Sequence, residues 1–293
     1  MTGKIIKGIA GFYYVHDGES RVYACKAKGI FRNRGVKPVV GDNVSFTVLD
    51  EEAGEGSIDE ILPRKNVLIR PASANVDQAL VVFAMTRPEP NLNLLDRFLI
   101  MMEAQEIPVT ICFNKLDLEQ EKKQQEYRRI YEQADYPVMF SSASNGQGIG
   151  EIRDFLRGRT TILAGPSGVG KSSLTNLLQP EAEMETGSIS EKIKRGKHTT
   201  RHAELFCVEE DTYLMDTPGF SSMYLEEMEA GELKDYFPEF APCTEKCRFG
   251  ADCVHIGEPV CGVKAAVEQG NISKSRYENY RILYQELKSR RKY

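Results

Sequence analysis

Residues 160–178, TTILAGPSGVGKSSLTNLL, constrain the fold more than any other stretch of this chain. An apolar run, a loop of the form G-x-x-x-x-G-K-[ST] and a helix-forming segment follow one another without a gap, so the loop joins a buried strand to a helix N-terminus. Gly165, Gly168 and Gly170 let backbone amides turn toward phosphate oxygens, and the helix end adds partial positive charge. Lys171 is spaced to reach the outer phosphates and the Ser172 hydroxyl to ligate Mg²⁺. Pro166, Ser167, Val169 and Ser173 complete the loop and the first turn. A glycine-rich turn with no ligand is the plain alternative. The intact strand–loop–helix context argues against it.

A phosphate loop alone does not choose between adenine and guanine. Asn114-Lys115-Leu116-Asp117 follows the apolar run IPVTICF, which puts Asp117 where its carboxylate can accept from the ring N–H and exocyclic amine of guanine. Adenine has no such pair of donors and would leave the carboxylate unpaired, an expensive arrangement in a closed pocket. Asn114 would bond the base edge and tie neighbouring loops together, and the Lys115 stem would cover the ring. A capped helix start is an equally good local reading of these four residues. Ser142-Ala143-Ser144, after the strand-like YPVMF, supplies a second candidate base-contacting loop. The two together are far more specific than either.

A further loop, Asp216-Thr217-Pro218-Gly219, follows the strand-like TYLM. Asp216 can hold Mg²⁺ through water, and the Gly219 amide can bond a γ-phosphate and so sense its presence. Between this loop and the phosphate loop lies KRGKHTTRH, in which Thr200, or else Thr199, is the candidate to complete the Mg²⁺ shell. These elements occur in the order base loop, second base loop, phosphate loop, threonine loop, Asp-x-x-Gly loop. That order is a cyclic shift of the usual one, in which the phosphate loop comes first. A circularly permuted chain can rebuild the same sheet, because domain termini commonly neighbour each other and the loops still gather at the strands' carboxyl ends.

Around this centre the chain of 293 residues divides into three expected domains, 1–66, 67–224 and 225–293. The first reads as brief alternating strands, KIIKGIAGFYYV, RVYACKA, VSFTVL and GSIDEIL, which suggests a small barrel. Its segment from Arg21 to Lys37 carries basic residues and no acidic one, with Tyr23 and Phe31 among them. The second alternates apolar strands with helical spacing and so forms a largely parallel α/β sheet. The third is polar and mostly helical around a cysteine cluster, and ends in KSRYENYRILYQELKSRRKY, a basic stretch with interleaved tyrosines. Net charge is -5, so any nucleic-acid contact must come from such local patches.

The longest apolar run, Ala79 to Met85, is too short to span a bilayer. No signal-peptide pattern opens the chain, and a cytoplasmic protein without membrane contact is expected. Four of the seven cysteines crowd into residues 243–261. In a reducing compartment that density favours a metal over disulfides. Cys247, Cys253, His255 and Cys261 offer three thiolates and an imidazole, the donor set of a closed, structural Zn²⁺ site. Cys243 is the spare candidate for the first ligand.

The segments GPSGVGKSSLTN, GKHTTRH, DTPGFS and the Cys/His pattern give the chain a specific resemblance, over essentially its whole length, to ribosome small-subunit-dependent GTPase A, a family of circularly permuted bacterial GTPases. The resemblance implies an OB-fold barrel that binds RNA, a permuted P-loop GTPase domain and a mostly helical zinc-binding domain. It also implies GTP or GDP, Mg²⁺ and one Zn²⁺ as cofactors, and late-stage assembly of the 30S subunit with its 16S rRNA by a monomer whose hydrolysis the subunit stimulates. In the family the first zinc spacing is usually four intervening residues, whereas five separate Cys247 from Cys253. The catalytic candidate is His198: Phe220 stands where Ras-type switches place a water-orienting glutamine, and the family's G-x-H-T-T histidine aligns with His198. His202 is the weaker alternative. Other readings of the same chemistry are a translation or signalling GTPase switch with a protein partner, an RNA-binding scaffold with nucleotide as a structural ligand, and a P-loop kinase. A kinase would leave the guanine and Asp-x-x-Gly loops without purpose.

Overall fold

A computed structural model of the chain describes residues 1–29, 31, 35–69, 72–119, 121–179, 204–216 and 228–290. Five strands, β1 (Thr2–Ile9), β2 (Phe12–His16), β3 (Val22–Ala27), β4 (Asn43–Asp50) and β5 (Glu55–Ile61), close into a barrel in the order β1-β2-β3-β5-β4. Only the β3/β5 pair is parallel. Alternation along the strands sends Ile5, Val15, Tyr23, Cys25, Val44, Phe46 and Ile58 inward. Closure leaves no free edge to template aggregation. The two aromatics of the basic segment, Tyr23 and Phe31, belong to this core, so they pack the barrel and are not free to stack on bases. Of the cations around them, Arg21 pairs with Glu51 and Lys28 with Asp59.

Past two short strands, β6 (Val67–Leu68) and β7 (Ser73–Ala74), come β8 (Gln78–Ala84), β9 (Val109–Asn114), β10 (Val138–Phe140), β11 (Thr160–Ala164), β12 (Glu204–Glu209) and β13 (Thr212–Asp216). These form one sheet in the order β10-β9-β8-β11-β13-β12, with the β10/β9, β9/β8 and β11/β13 pairs parallel and β12/β13 an antiparallel hairpin. Every residue of β8 and β9 is buried, as their unbroken apolar sequences require of strands covered on both faces. Numbered from β11, the strand that carries the phosphate loop, the spatial order becomes 6-5-4-1-3-2. The chain leaves β11 toward opposite edges, which is where open α/β sheets bind ligands. The sheet is thus a doubly wound one whose chain starts partway round.

Helices α1 (Leu92–Glu103), α2 (Glu121–Glu132), α3 (Ile149–Leu156) and α4 (Lys171–Leu178) connect or follow these strands, and α5 (Gly262–Glu268) and α6 (Lys274–Ser289) lie toward the C-terminus. Asn91 caps α1 by accepting from the Leu94 amide at 3.1 Å. The C-terminal region is mostly helical, with three 3-10 turns before α5. Leu233, Phe237, Phe240, Val263, Tyr280, Leu283 and Leu287 form its core together with Ile100 of α1. Tyr280 of the interleaved-tyrosine segment is fully buried there, and its hydroxyl donates to Val254 O at 2.6 Å. Among the described residues no helix is long and apolar enough to cross a membrane.

α6 is fixed to α1 by a buried ion triad. Arg276 donates to Asp96 at 2.7 Å and, through two nitrogens, to both carboxylate oxygens of Glu239 at 2.8 and 2.9 Å. Asn279 takes the second Asp96 oxygen at 2.6 Å. The guanidinium is 1% exposed and lies 4.7 Å from the Phe237 ring centroid. All three charges are therefore out of water, and each is satisfied by the others.

Candidate guanine-nucleotide site and zinc centre

Asn114, the last residue of β9, is 1% exposed, and its amide bonds to the loops around it while one Nδ2 hydrogen stays available. Nδ2 donates to Val169 O in the phosphate loop at 2.9 Å, while Oδ1 accepts from the Ser141 hydroxyl and the Ala143 amide, both at 3.2 Å. One side chain thus holds the phosphate loop and the Ser142-Ala143-Ser144 loop in fixed relation. A Cβ on Gly170 would fall 2.3 Å from Asn114 Nδ2, and Gly170 has φ +96°, so the strap requires glycine there. Gly165, with φ +141°, passes so close to β8 that a Cβ would sit 2.1 Å from Val82 O. These two glycines shape a cradle that side chains would fill.

Lys115 adopts the left-handed conformation, φ 63°. Its ammonium donates to Gly168 O at 2.8 Å and to Arg87 O, leaving the aliphatic stem as the part available to a ring. Asp117 follows in a short 3-10 turn with its carboxylate exposed at the strand end. Hydrogen bonds from Ser142, and then from Ser144, hold its carboxyl below the usual range, so it stands as an anionic acceptor. In the phosphate loop the Lys171 ammonium donates to Gly165 O at 2.7 Å and Pro166 O at 2.9 Å. Val169 is buried, whereas Ser167, Ser172 and Ser173 are exposed on the loop and first turn of α4. Asp216 ends β13 and pairs in register with Leu163, two residues before Gly165. Thr200, Gly219 and His198 lie outside the described residues, as do Thr199, His202 and Phe220.

The arrangement passes a test of fit for Mg²⁺-bound guanine nucleotide. Backbone amides of the phosphate loop and Lys171 could meet phosphates, the Ser172 hydroxyl is available to a cation, and the ionised Asp117 carboxylate could accept paired donors.

The zinc donors come together without help from distant parts of the chain. Cys247, Cys253, His255 and Cys261 are all buried, with their ligand atoms within 4.8 Å of one another. His255 Nδ1 lies 3.7 Å from the Cys247 sulfur and 3.4 Å from that of Cys261. Local hydrogen bonds shape the cage: Glu258 accepts from the Val254 and Ile256 amides at 2.7 and 2.8 Å, and the Tyr277 hydroxyl donates to His255 O at 2.7 Å. The Gly262 amide points at the Cys247 sulfur from 3.2 Å. Burial pushes the Cys253 thiol up to about 12 and keeps the His255 imidazole neutral. Three soft sulfurs and a neutral imidazole at this spacing fit tetrahedral Zn²⁺, whose charge would offset the cost of ionising buried thiols. Cys243 stands outside the group, half-buried, with its sulfur 4.0 Å from Glu239 O. The purified chain should therefore carry one zinc, retained in Cys243→Ser and lost in Cys247→Ser, as metal content measured after dialysis would show. Zinc retained by Cys247→Ser and lost by Cys243→Ser would reverse that choice of ligand.

Three features of the structure go beyond the sequence motifs: the Arg276 triad, the Lys115 bond to Arg87 O, and the contact between Tyr213 of β13 and His16 of the barrel strand β2, whose Nδ1 lies 2.9 Å from the tyrosine hydroxyl. None has a local signature, since each joins residues far apart in the chain.

Together the fold and the loops define a P-loop GTPase with a circularly permuted chain, carrying an OB-like barrel before it and a Cys/His metal centre after it. Comparison narrows the class. A family model described as the RsgA N-terminal domain matches residues 2–58, and one described as RsgA GTPase matches residues 61–226. The chain belongs to the RsgA GTPase family. It is 58% identical to the small ribosomal subunit biogenesis GTPase RsgA of Agathobacter rectalis, covering 100% of both chains, and 50% identical to that of Alkaliphilus metalliredigens, covering 99% of each. Among solved structures it resembles YjeQ from Thermotoga maritima, with TM-score 0.82 and 38% identity over 99% of both chains. It also resembles YloQ, a circularly permuted GTPase, with TM-score 0.79 and 37% identity over 100% of this chain and 96% of that one.

Proposed function

We propose that this GTPase acts late in assembly of the small ribosomal subunit, binding the 30S particle and its 16S rRNA as a cytoplasmic monomer whose GTP hydrolysis the particle stimulates. The observation that carries the reading is the permuted set of loops strapped together by Asn114, on a chain whose relatives over its full length are named for small-subunit biogenesis. In this reading residues 1–66 form the RNA-binding barrel, 67–224 the nucleotide domain and 225–293 the zinc domain.

Asp117, Lys115 and Asn114 with Ser142 and Ala143 select guanine. Gly165 to Ser173 hold the phosphates, with Lys171 neutralising charge. Ser172 and Thr200 would ligate Mg²⁺, Asp216 would support it, and Gly219 would sense the γ-phosphate. When bound, Mg²⁺ supplies charge neutralisation at the phosphates. The basic barrel segment, together with Lys274, Arg281 and Lys288 of α6, supplies phosphate contacts for rRNA.

Measuring GTP turnover alone, with 30S particles and with 50S particles tests the reading. Stimulation confined to 30S supports it, and equal turnover in all three removes it. Base selection is separable. Asp117→Asn should weaken GTP binding about 10- to 100-fold, the loss expected for hydrogen bonds to a charged acceptor, and should shift preference toward xanthine, since an amide can donate where the carboxylate only accepts. A competition assay that shows unchanged GTP preference would take Asp117 out of the base site.

A further inference from the structure

The outer face of β2 reads Phe12, Tyr14, His16, and the last of these is 5% exposed because β13 covers it. The Tyr213 hydroxyl lies 2.9 Å from His16 Nδ1, with the two rings edge to face at 5.7 Å. The Gly18 amide also points at Nδ1, from 3.2 Å. An amide can only donate, so Nδ1 must present its lone pair, the ring proton must sit on Nε2, and the tyrosine hydroxyl must be the second donor. His16 is therefore held neutral by its geometry.

A second contact, Lys7 to Glu204 at 2.7 Å, joins β1 to β12. Lys4, the Cα partner of His16 on the neighbouring strand β1, places its ammonium 5.4 Å from the Tyr213 ring centroid. The barrel thus grips the β12/β13 hairpin through one neutral hydrogen bond, one ion pair and one cation–π contact.

Where that grip falls matters for the reaction. Tyr213 is three residues before Asp216, and β13 pairs in parallel with β11 from Thr160↔Tyr213 to Leu163↔Asp216. A displacement of β13 at Tyr213 is passed along its axis to Asp216 and sideways to the strand that enters the phosphate loop. We propose that His16 is a positioning residue for GTP hydrolysis: by its bond to Tyr213 it couples whatever the barrel engages to the nucleotide state read at Asp216. The proposal rests on the reading that the barrel engages the 30S particle, and coupling of this kind is reciprocal.

The bond also has a signature that simple packing lacks. Protonation of Nδ1 would take the acceptor from the Gly18 amide and turn the tyrosine hydroxyl around. Burial lowers the pKa of His16, opposed by Asp17 beside it and Asp211 in the β12/β13 turn. Lys4 and Tyr213 are the other titratable groups facing the ring. For a histidine whose folded pKa is lowered, the coupling is fully present above its ordinary value of about 6.5 and is lost as pH falls through the lower folded value.

The test uses the full-length chain. Tyr213→Phe, which removes one oxygen, and His16→Ala should keep basal turnover and GTP affinity while 30S stimulation falls about 5- to 150-fold, the usual span of coupling between sites. His16→Asn, which keeps an acceptor near the Nδ1 position and cannot titrate, should restore stimulation at neutral pH and flatten its acid limb. Stimulation within twofold of wild type in both Tyr213→Phe and His16→Ala, or an acid limb unchanged in His16→Asn, overturns the proposal.

Hydrogen exchange without ribosomes separates its failure from that of the 30S reading. Residues 13–18 should exchange differently with GDP and with a non-hydrolysable GTP analogue in wild type, and identically in Tyr213→Phe. If wild type shows no 30S stimulation, the functional reading fails and this exchange difference alone decides for or against the coupling.

Discussion

His198→Ala should bind GTP and the 30S particle with little change yet lose about 10²- to 10⁴-fold of stimulated turnover, the usual contribution of a group that orients or deprotonates the attacking water. The expectation starts from a substitution visible in the sequence. Phe220 directly follows the Asp-x-x-Gly loop, and its side chain can neither accept from nor donate to water. A replacement has to come from the threonine loop or from the partner. His198 is two residues before Thr200, the proposed Mg²⁺ ligand, and neutral imidazole can take the water proton. Single-turnover hydrolysis at saturating 30S isolates this step from binding. Near-normal stimulated turnover in that variant would assign the catalytic group to the ribosome.

Arg276→Met should lower stability by about 3–5 kcal/mol, the cost of stripping one partner from a buried charge network. Methionine can fill much of the space, but Asp96 and Glu239, both buried, would then face each other with no cation between them. Replacing all three charges at once, as Asp96→Asn, Glu239→Gln and Arg276→Met, should recover much of the loss, because the penalty arises from the uncompensated anions. Denaturant midpoints for the two variants check this. A single variant as stable as wild type would mean that the triad is neutralised in some other way.

The nucleotide loops were legible in the sequence because each is a short run whose chemistry is local: glycines for tight turns, a lysine for phosphate, an aspartate after a buried strand. The zinc set was legible for the same reason, although choosing between Cys243 and Cys247 needed coordinates, since both lie within reach by spacing alone. What the sequence did not reveal is how those runs are held. The sequence places Asn114 at the base edge and between neighbouring loops, and in the structure its amide bonds to the phosphate loop and to residues 141 and 143. Tyr23 and Phe31 sit among basic residues yet pack the barrel core, because strand alternation, not neighbouring charge, decides which way a side chain faces. Arg276 lies in a basic, tyrosine-rich helix that reads as a nucleic-acid surface, and it proves to be among the most buried side chains of the chain. Its partners are supplied by segments that no window of sequence brings together.

The Arg276–Asp96 bond also sets a schedule. The two residues are 180 positions apart, and synthesis at 5–20 residues per second separates their emergence by roughly 10 to 40 seconds. During that interval Asp96 stays hydrated, α1 has no covering helix, and the apolar side of α1 that packs through Ile100 has nothing to bury against. Because the Cys/His cluster and α6 follow α1 in the chain, the face of α1 that carries Asp96 stays open until they emerge, while Phe98 can already pack against Phe83 of β8.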